Sequence, residues 1–230
     1  MPFVLTPIAL LKGFGAGIAA TYANINGTAT PTTTNSQLAA DKTTGQQSMF
    51  SYRTNTSVAF NNATVAHGIE RRLVPQGYWY YRMAYLMTEY VRENQQVARR
   101  TAAAVNRGAT LTHDAWQLQG GFYLTGEPES YDGNPVNDPV GQGGWGAWEL
   151  VARYHQLHYD PRTYAGGAAS FANGTTAVQA AYARGIGLNW YLTRAFRMQL
   201  DFEDTSFHGG SAVGSRAAEK VLTAQGALIF

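Results

Sequence analysis

Between positions 196 and 203 the chain separates apolar from polar residues completely. Phe196, Met198, Leu200 and Phe202 hold the even positions, and Arg197, Gln199, Asp201 and Glu203 the odd ones. Side chains alternate from face to face along a strand, whereas a helix would mix these two sets. The segment predicts a strand with one apolar face and one wet face.

The same split recurs upstream. In 179–192, Ala180, Tyr182, Ile186, Leu188, Trp190 and Leu192 share a face with Arg184, opposite Gln179, Gly185, Gly187, Asn189 and Tyr191. In 145–159, Trp148, Leu150, Ala152 and Tyr154 oppose Glu149, Val151, Arg153 and His155. In 113–124, Trp116, Leu118, Phe122 and Leu124 oppose Gln117, Gln119 and Tyr123, and in 13–22 Phe14, Ile18 and Tyr22 oppose three glycines. Two less regular strands flank Tyr81-Arg82: Leu73, Trp79 and Tyr81 against Arg72, Gln76 and Tyr78, then Ala84, Leu86 and Tyr90 against Glu89 and Glu93. A last strand, 220–230, sets Leu222, Ala224, Leu228 and Phe230 against Thr223 and Gln225. Several of these runs are long enough for the roughly 9–11 tilted residues that cross a bilayer.

Aromatic residues close the apolar faces, as Trp148 and Tyr154 do on one strand and Tyr182 and Trp190 on another. These four predict a lipid-facing girdle, since aromatic belts sit at both membrane interfaces of an outer-membrane barrel. Arg184, on the same face, is tolerable near an interface, where its guanidinium snorkels to water. The connections at 192–196 and 81–84 are short, whereas 24–66, 97–109 and 159–176 read as longer loops at the other rim. The stretch 127–144 breaks the scheme, being long on the side where turns are short. Residues 47–52 read as a short strand or part of an external loop, and Arg99-Arg100 as a solvated basic pair.

Composition sharpens the picture. Charged residues make up 14% of the chain, against about 25% in an ordinary soluble domain, yet the mean hydropathy is −0.25. Few charges with middling hydropathy suit strands that alternate apolar-out with polar-in. The longest apolar run, 2–11, is far too short for a membrane helix of about 20 residues. Cysteine is absent, which excludes disulfides and thiolate metal sites. A net charge of +2 gives no reason to expect nucleic acid as a partner. The start, Met-Pro-Phe-Val-Leu-Thr, lacks a basic n-region and a small-residue cleavage site. A signal has been removed, or the chain is incomplete at its N-terminus. The fold expected is an all-β, transmembrane antiparallel β-barrel with about eight strands in this chain.

At Trp145-Gly146-Ala147-Trp148-Glu149-Leu150-Val151-Ala152-Arg153-Tyr154 the sequence resembles the phosphate-selective porin O and P family. Tyr123-Leu124-Thr125-Gly126-Glu127 and Gly187-Leu188-Asn189-Trp190-Tyr191 are similar to further motifs of that family, in the same order. A C-terminal aromatic, Phe230, is what such barrels offer to the barrel assembly machinery. The resemblance spans residues 3–230, read as a single porin domain, and implies a sixteen-stranded barrel of the kind that leaves an aqueous channel. It also implies a homotrimer, an outer-membrane location in a Gram-negative bacterium, and anion-selective passage. The match is to the family's C-terminal half. The half carrying the inward-folded constriction loop and much of the arginine ladder is absent, which counts against phosphate selectivity.

The wet faces then supply the candidate site: Arg72, Glu89, Glu149, Arg153, His155, Arg197, Asp201 and Glu203 are the expected pore-lining residues. Rings of charge set selectivity in pores. An equal alternative is an ion-pair network holding the wall, Arg153 and Arg197 with Glu149 and Asp201. His155 and His158 resemble a ligand pair, but i and i+3 in a strand face opposite ways. Gly141-Gln142-Gly143-Gly144-Trp145-Gly146 matches a dinucleotide fingerprint in letters only, because it opens a strand rather than a helix. No nucleophile–base constellation suggests an enzyme, and no cofactor or metal is expected. The expected function is a porin in a lipid bilayer passing small hydrophilic solutes, anions such as phosphate among them. The alternatives are a small structural barrel that does not conduct and, less favoured, a soluble ligand-binding barrel with its apolar faces inward.

Overall fold

The computed structural model describes residues 9–29, 34–54, 63–102, 105–129 and 135–228. Eight long strands form one antiparallel sheet in which neighbours in space are neighbours in sequence. They are β1 (Phe14–Asn26), β2 (Thr64–Tyr81), β3 (Ala84–Ala102), β4 (Val105–Tyr123), β5 (Ala147–His158), β6 (Val178–Tyr191), β7 (Phe196–Gly209) and β8 (Glu219–Leu228). A single helical turn, Ala9–Lys12, precedes β1. Among the described residues the sheet is not closed: β1 pairs only with β2, and β8 only with β7.

The register carries the period-two split across the whole sheet. Gln119, Arg153, Gly185, Glu203 and Val221 lie on one line of partners, and Leu118, Tyr154, Arg184, Asp204 and Lys220 on the next. A shift of one residue would exchange the two faces. The apolar face is the exposed one, where Ile18 is 72% accessible, Ile186 53% and Leu222 70%. In water such a surface would be an unstable patch, whereas in hydrocarbon it is the solvated side. Aromatic pairs mark both ends of this face. Trp148 stacks on Trp190 at 4.9 Å and Trp79 on Tyr81 at 5.6 Å near one rim. Trp116 packs on Tyr154 at 5.2 Å and His158 on Tyr182 at 5.6 Å near the other.

The buried clusters therefore lie on the polar side, under connections that fold back over the sheet. Phe50, Tyr159, Ala172, Val178 and Phe207 form one, with the Phe50 and Tyr159 rings stacked at 3.8 Å. Val97, Leu111 and Phe171 form a second. Phe50 belongs to a short strand, Ser48–Phe50, paired with Asp41–Lys42. Residues 47–52 are thus strand and loop at once, and part of a strap (36–54) that crosses to the far strands.

Two expectations about connections are corrected. Residues 97–109 are not a long loop: β3 and β4 stay paired from Val97↔Ala109 to Ala102↔Val105. Beside this end, Val97, Ala109 and Leu111 pack with Phe171 of the 159–177 loop, so a loop covers this part of the hairpin. Arg99 is likewise not in a solvated loop but is a strand residue 5% exposed. Strand limits also move, with β5 starting at Ala147 rather than Trp145. The last expected residue, Phe230, lies outside the described residues.

Candidate functional site

Residues from β2 to β8 and from the strap line a cavity of about 540 Å³ on the polar face. Tyr80 of β2 and Thr223 of β8 both border it, so the sheet curls around this space. Of the expected pore-lining residues, Glu149, Arg153, Arg197, Asp201 and Glu203 line the cavity together. His155 stands above it, its Nε2 3.5 Å from Glu203. Arg72 and Glu89 occupy the same face two and one strands before β4, outside the cavity. Arg72 bonds Glu70 at 3.1 Å and Glu93 at 3.5 Å. Parity brings the set to one surface, and curvature gathers only part of it.

The charges in the cavity are organised differently from the expected pairs. Arg153 reaches over Gly185 to Glu203, Nη2 to Oε2 at 2.8 Å, instead of pairing with Glu149. Glu203, 6% exposed, also accepts from Thr44 of the strap. Glu149, 3% exposed, accepts from Asn189 Nδ2 at 2.8 Å and Tyr191 Oη at 2.7 Å. Arg197 stacks on the Tyr191 ring at 5.9 Å rather than bridging to Asp201. Asp201 lies over Gly187, where a Cβ would strike its carboxylate. The glycines of β6 are thus the gaps that let neighbouring long side chains lie across the wall. Gln119 donates to Tyr85 Oη and Gln199 to Asn189 Oδ1, each at 2.8 Å, completing a wall of fixed polar groups.

The four girdle residues Trp148, Tyr154, Tyr182 and Trp190 all lie on the apolar face by register. Arg184 accompanies them, bonded to Asp204 at 3.1 Å. His155 and His158 face opposite ways: His158 turns to Asp114 at 3.4 Å and Tyr182 at 3.2 Å. The glycine run 141–146 ends in the strand Ala147–His158, not a helix.

Above the cavity, the strap and the 159–177 loop are fastened by groups that parity cannot reveal. The backbone N–H of Asp160 donates to His113 Nδ1 at 3.1 Å, so the ring proton sits on Nε2 and points to Tyr52 Oη at 2.7 Å. Burial pushes the Asp160 carboxyl up, but hydrogen bonds from Arg162 and from the Thr112 and Arg162 N–H groups outweigh it and hold it below its ordinary value. Three arginines converge on the same loop. Arg53 donates to Ser170 Oγ at 3.1 Å, Arg99 to the Ser170 carbonyl, and Arg107 to the carbonyls of Ala165 at 2.7 Å and Ala169 at 3.0 Å. Among the described residues, neither Arg53 nor Arg107 forms an ion pair with a carboxylate.

At the opposite rim the long 124–146 connection folds up against the wall. Glu127 is 2% exposed, and Val136 packs with Tyr123, Ala147 and Tyr191. Glu129 borders the cavity, close to Glu149. Burial, then the Glu149 charge, push its carboxyl up to about 8. The described parts of this connection, 124–129 and 135–146, thus pack against the wall beside the cavity.

An open-faced polar wall, an apolar outer face with two aromatic rims, and loops folded across the wall fit one kind of protein. A family model described as phosphate-selective porin O and P matches residues 12–223. The chain belongs to this porin family. No curated protein sequence matches it. Membership agrees with the motifs at 123–127, 145–154 and 187–191, all within the matched span. In this porin-family chain the strap crosses the polar face, and its Thr44 touches Glu203.

Proposed function

We propose that the polar face lines a water-filled channel through the outer membrane, open to passive diffusion of small hydrophilic solutes and favouring anions such as phosphate. The observation that carries this reading is the cavity ringed by Arg153, Arg197, Glu149 and Glu203 behind an apolar exterior. Two unpaired strand edges cannot remain open in hydrocarbon, where every backbone polar group needs a partner. Further strands, or the two edges themselves, therefore close the sheet into a barrel. The guanidinium groups of Arg53 and Arg107, which among the described residues pair with no carboxylate, supply anion preference at the long-loop rim, where field lines focus into a cleft. Homotrimer formation and delivery to the barrel assembly machinery follow the habit of the family and are part of the same proposal.

The test is conductance across planar bilayers with a salt gradient. Stepwise channels whose reversal potential favours anions are expected. Protein that inserts but never conducts would replace this reading by that of a filled, structural wall.

A further inference from the structure

Arg71 and Arg92 are diagonal neighbours on the apolar face of β2 and β3, since Arg92 opposes Leu73 and Arg71 lies two residues on. Side chains so placed are within reach of a common ligand. Both are exposed, and among the described residues neither forms an ion pair. Arg184, the other arginine exposed on this face, is neutralised by Asp204. The carboxylate nearest by register is Asp114, opposite Arg92, and its Oδ2 is turned to His158. Arg71 also lies over the Tyr22 ring at 5.5 Å, which fixes its direction.

Further along the same face of β2 and β3, starting at Tyr90 two residues from Arg92 and at Pro75 four residues from Arg71, runs an apolar groove of about 400 Å³. Ala16, Pro75 and Gly77 are low points in its lining, and Trp79, Leu86 and Tyr90 rise around them. Packing does not force this gap. A Cβ at Gly77 would make only ordinary contacts, 3.6 Å to Thr88 Cγ2 and 3.8 Å to the Gly15 carbonyl. At Gly15 and Gly121, by contrast, it would strike a tyrosine ring. Proline inside a sheet is otherwise confined to edges and bulges because it lacks an N–H. Yet Pro75 sits mid-strand, between the pairs Leu73↔Arg92 and Gln76↔Glu89.

We infer that this surface binds a phosphate-bearing lipid of the membrane, its phosphate between Arg71 and Arg92 and one acyl chain in the groove. Guanidinium forks match phosphate oxygens, and paired cations at the edge of an apolar slot select an amphipathic anion over bulk lipid. The inference rests on the reading that the apolar face meets the membrane. It places the headgroup at the long-loop rim, hence in the outer leaflet.

The probe is diphosphoryl lipid A, with its dephosphorylated form as the control, titrated against the full chain in detergent and followed by native mass spectrometry. Wild type should retain the phosphorylated lipid, and the R71Q/R92Q variant should bind it at least tenfold more weakly. G77L, which fills the groove, should weaken both forms. If G77L fails to fold, T88L fills the groove from the neighbouring strand. Equal binding of the two lipids, or equal binding by wild type and R71Q/R92Q, overturns the inference. So does a G77C variant that cross-links copy to copy in a bilayer, because a second chain would then cover the groove. Insertion into vesicles is scored separately. Protein that does not insert defeats the membrane reading itself, and inserted protein without lipid discrimination defeats only the lipid site.

Discussion

Arg153 and Glu203 meet at 2.8 Å although a whole strand, with Gly185 on their line, lies between them. Two strand spacings are about 9.6 Å, so the bridge exists because glycine puts nothing in its path. The charges of Arg153 and Glu203 thereby offset each other. Replacing Arg153 by Gln uncovers a carboxylate facing the solute path. The reversal potential in a potassium chloride gradient should then move toward cations with conductance retained. The double change R153E/R197E should move it further. An unchanged potential in well-inserted protein would show that neither residue lines the limiting part of the channel.

A charge on the apolar face should impede insertion, and the same charge on the wall should not. Leu188→Arg meets hydrocarbon and costs roughly 2–4 kcal/mol near the midplane. Thr223→Arg is the proper comparison, being exposed and bordering the cavity. Asn189, the obvious neighbour, is unsuitable: it faces inward but is 7% exposed and bonded to Glu149 and Gln199. Similar folding yields into vesicles for L188R and T223R would contradict the facing.

Glu129 makes the connection after β4 sensitive to alkali. Its carboxyl is pushed up to about 8 in the folded chain, against about 4.3 for free glutamate. A raised carboxyl favours folding while protonated, so its contribution is complete below about pH 4 and is lost as pH rises through about 8. Glu149, Tyr85 and Tyr123 face it, while Tyr191 borders the same cavity with Arg197 stacked on its ring. Hydrogen exchange in 135–146 should quicken between pH 6 and 9 beyond the intrinsic rise, and E129Q should remove the excess. Equal protection at both pH values would rule out a protonated Glu129.

Arg99 fixes the 159–177 loop from beneath. Its buried guanidinium bonds the Ser170 carbonyl, and a charged hydrogen bond of this kind is worth about 1.5–3 kcal/mol. Arg99→Gln should speed limited proteolysis of that loop while leaving the sheet's circular dichroism intact. A cleavage rate unchanged from wild type would show that Arg53 and Arg107 hold the loop without it.

The strands and the two faces of the sheet were legible because apolar and polar residues alternate at every second position. Every expected pore-lining residue lies on the polar face, and Trp148, Tyr154, Tyr182 and Trp190 on the other. Partners were not legible. Arg153 choosing Glu203 over Glu149 depends on Gly185, and Glu149 is taken by Asn189 and Tyr191. Nor does alternation say anything where both faces are wet or loop-covered, which is why Arg99 and the end of the β3–β4 hairpin were misjudged. Thr44 and Glu129 enter the cavity from connections, and no periodic signal could have found them.

The strap has a consequence for the order of assembly. Each rung of the sheet joins consecutive strands, so hairpins can zip one after another with little loop entropy to overcome. Two of the strap's bonds reach far along the chain: Thr44 lies 159 residues from Glu203, and Gln47 lies 169 from Arg216. Those partners exist only once β7 and the turn after it are in place. The cavity must therefore form wide and be narrowed last, when the earliest connection of the sheet closes over its latest strands.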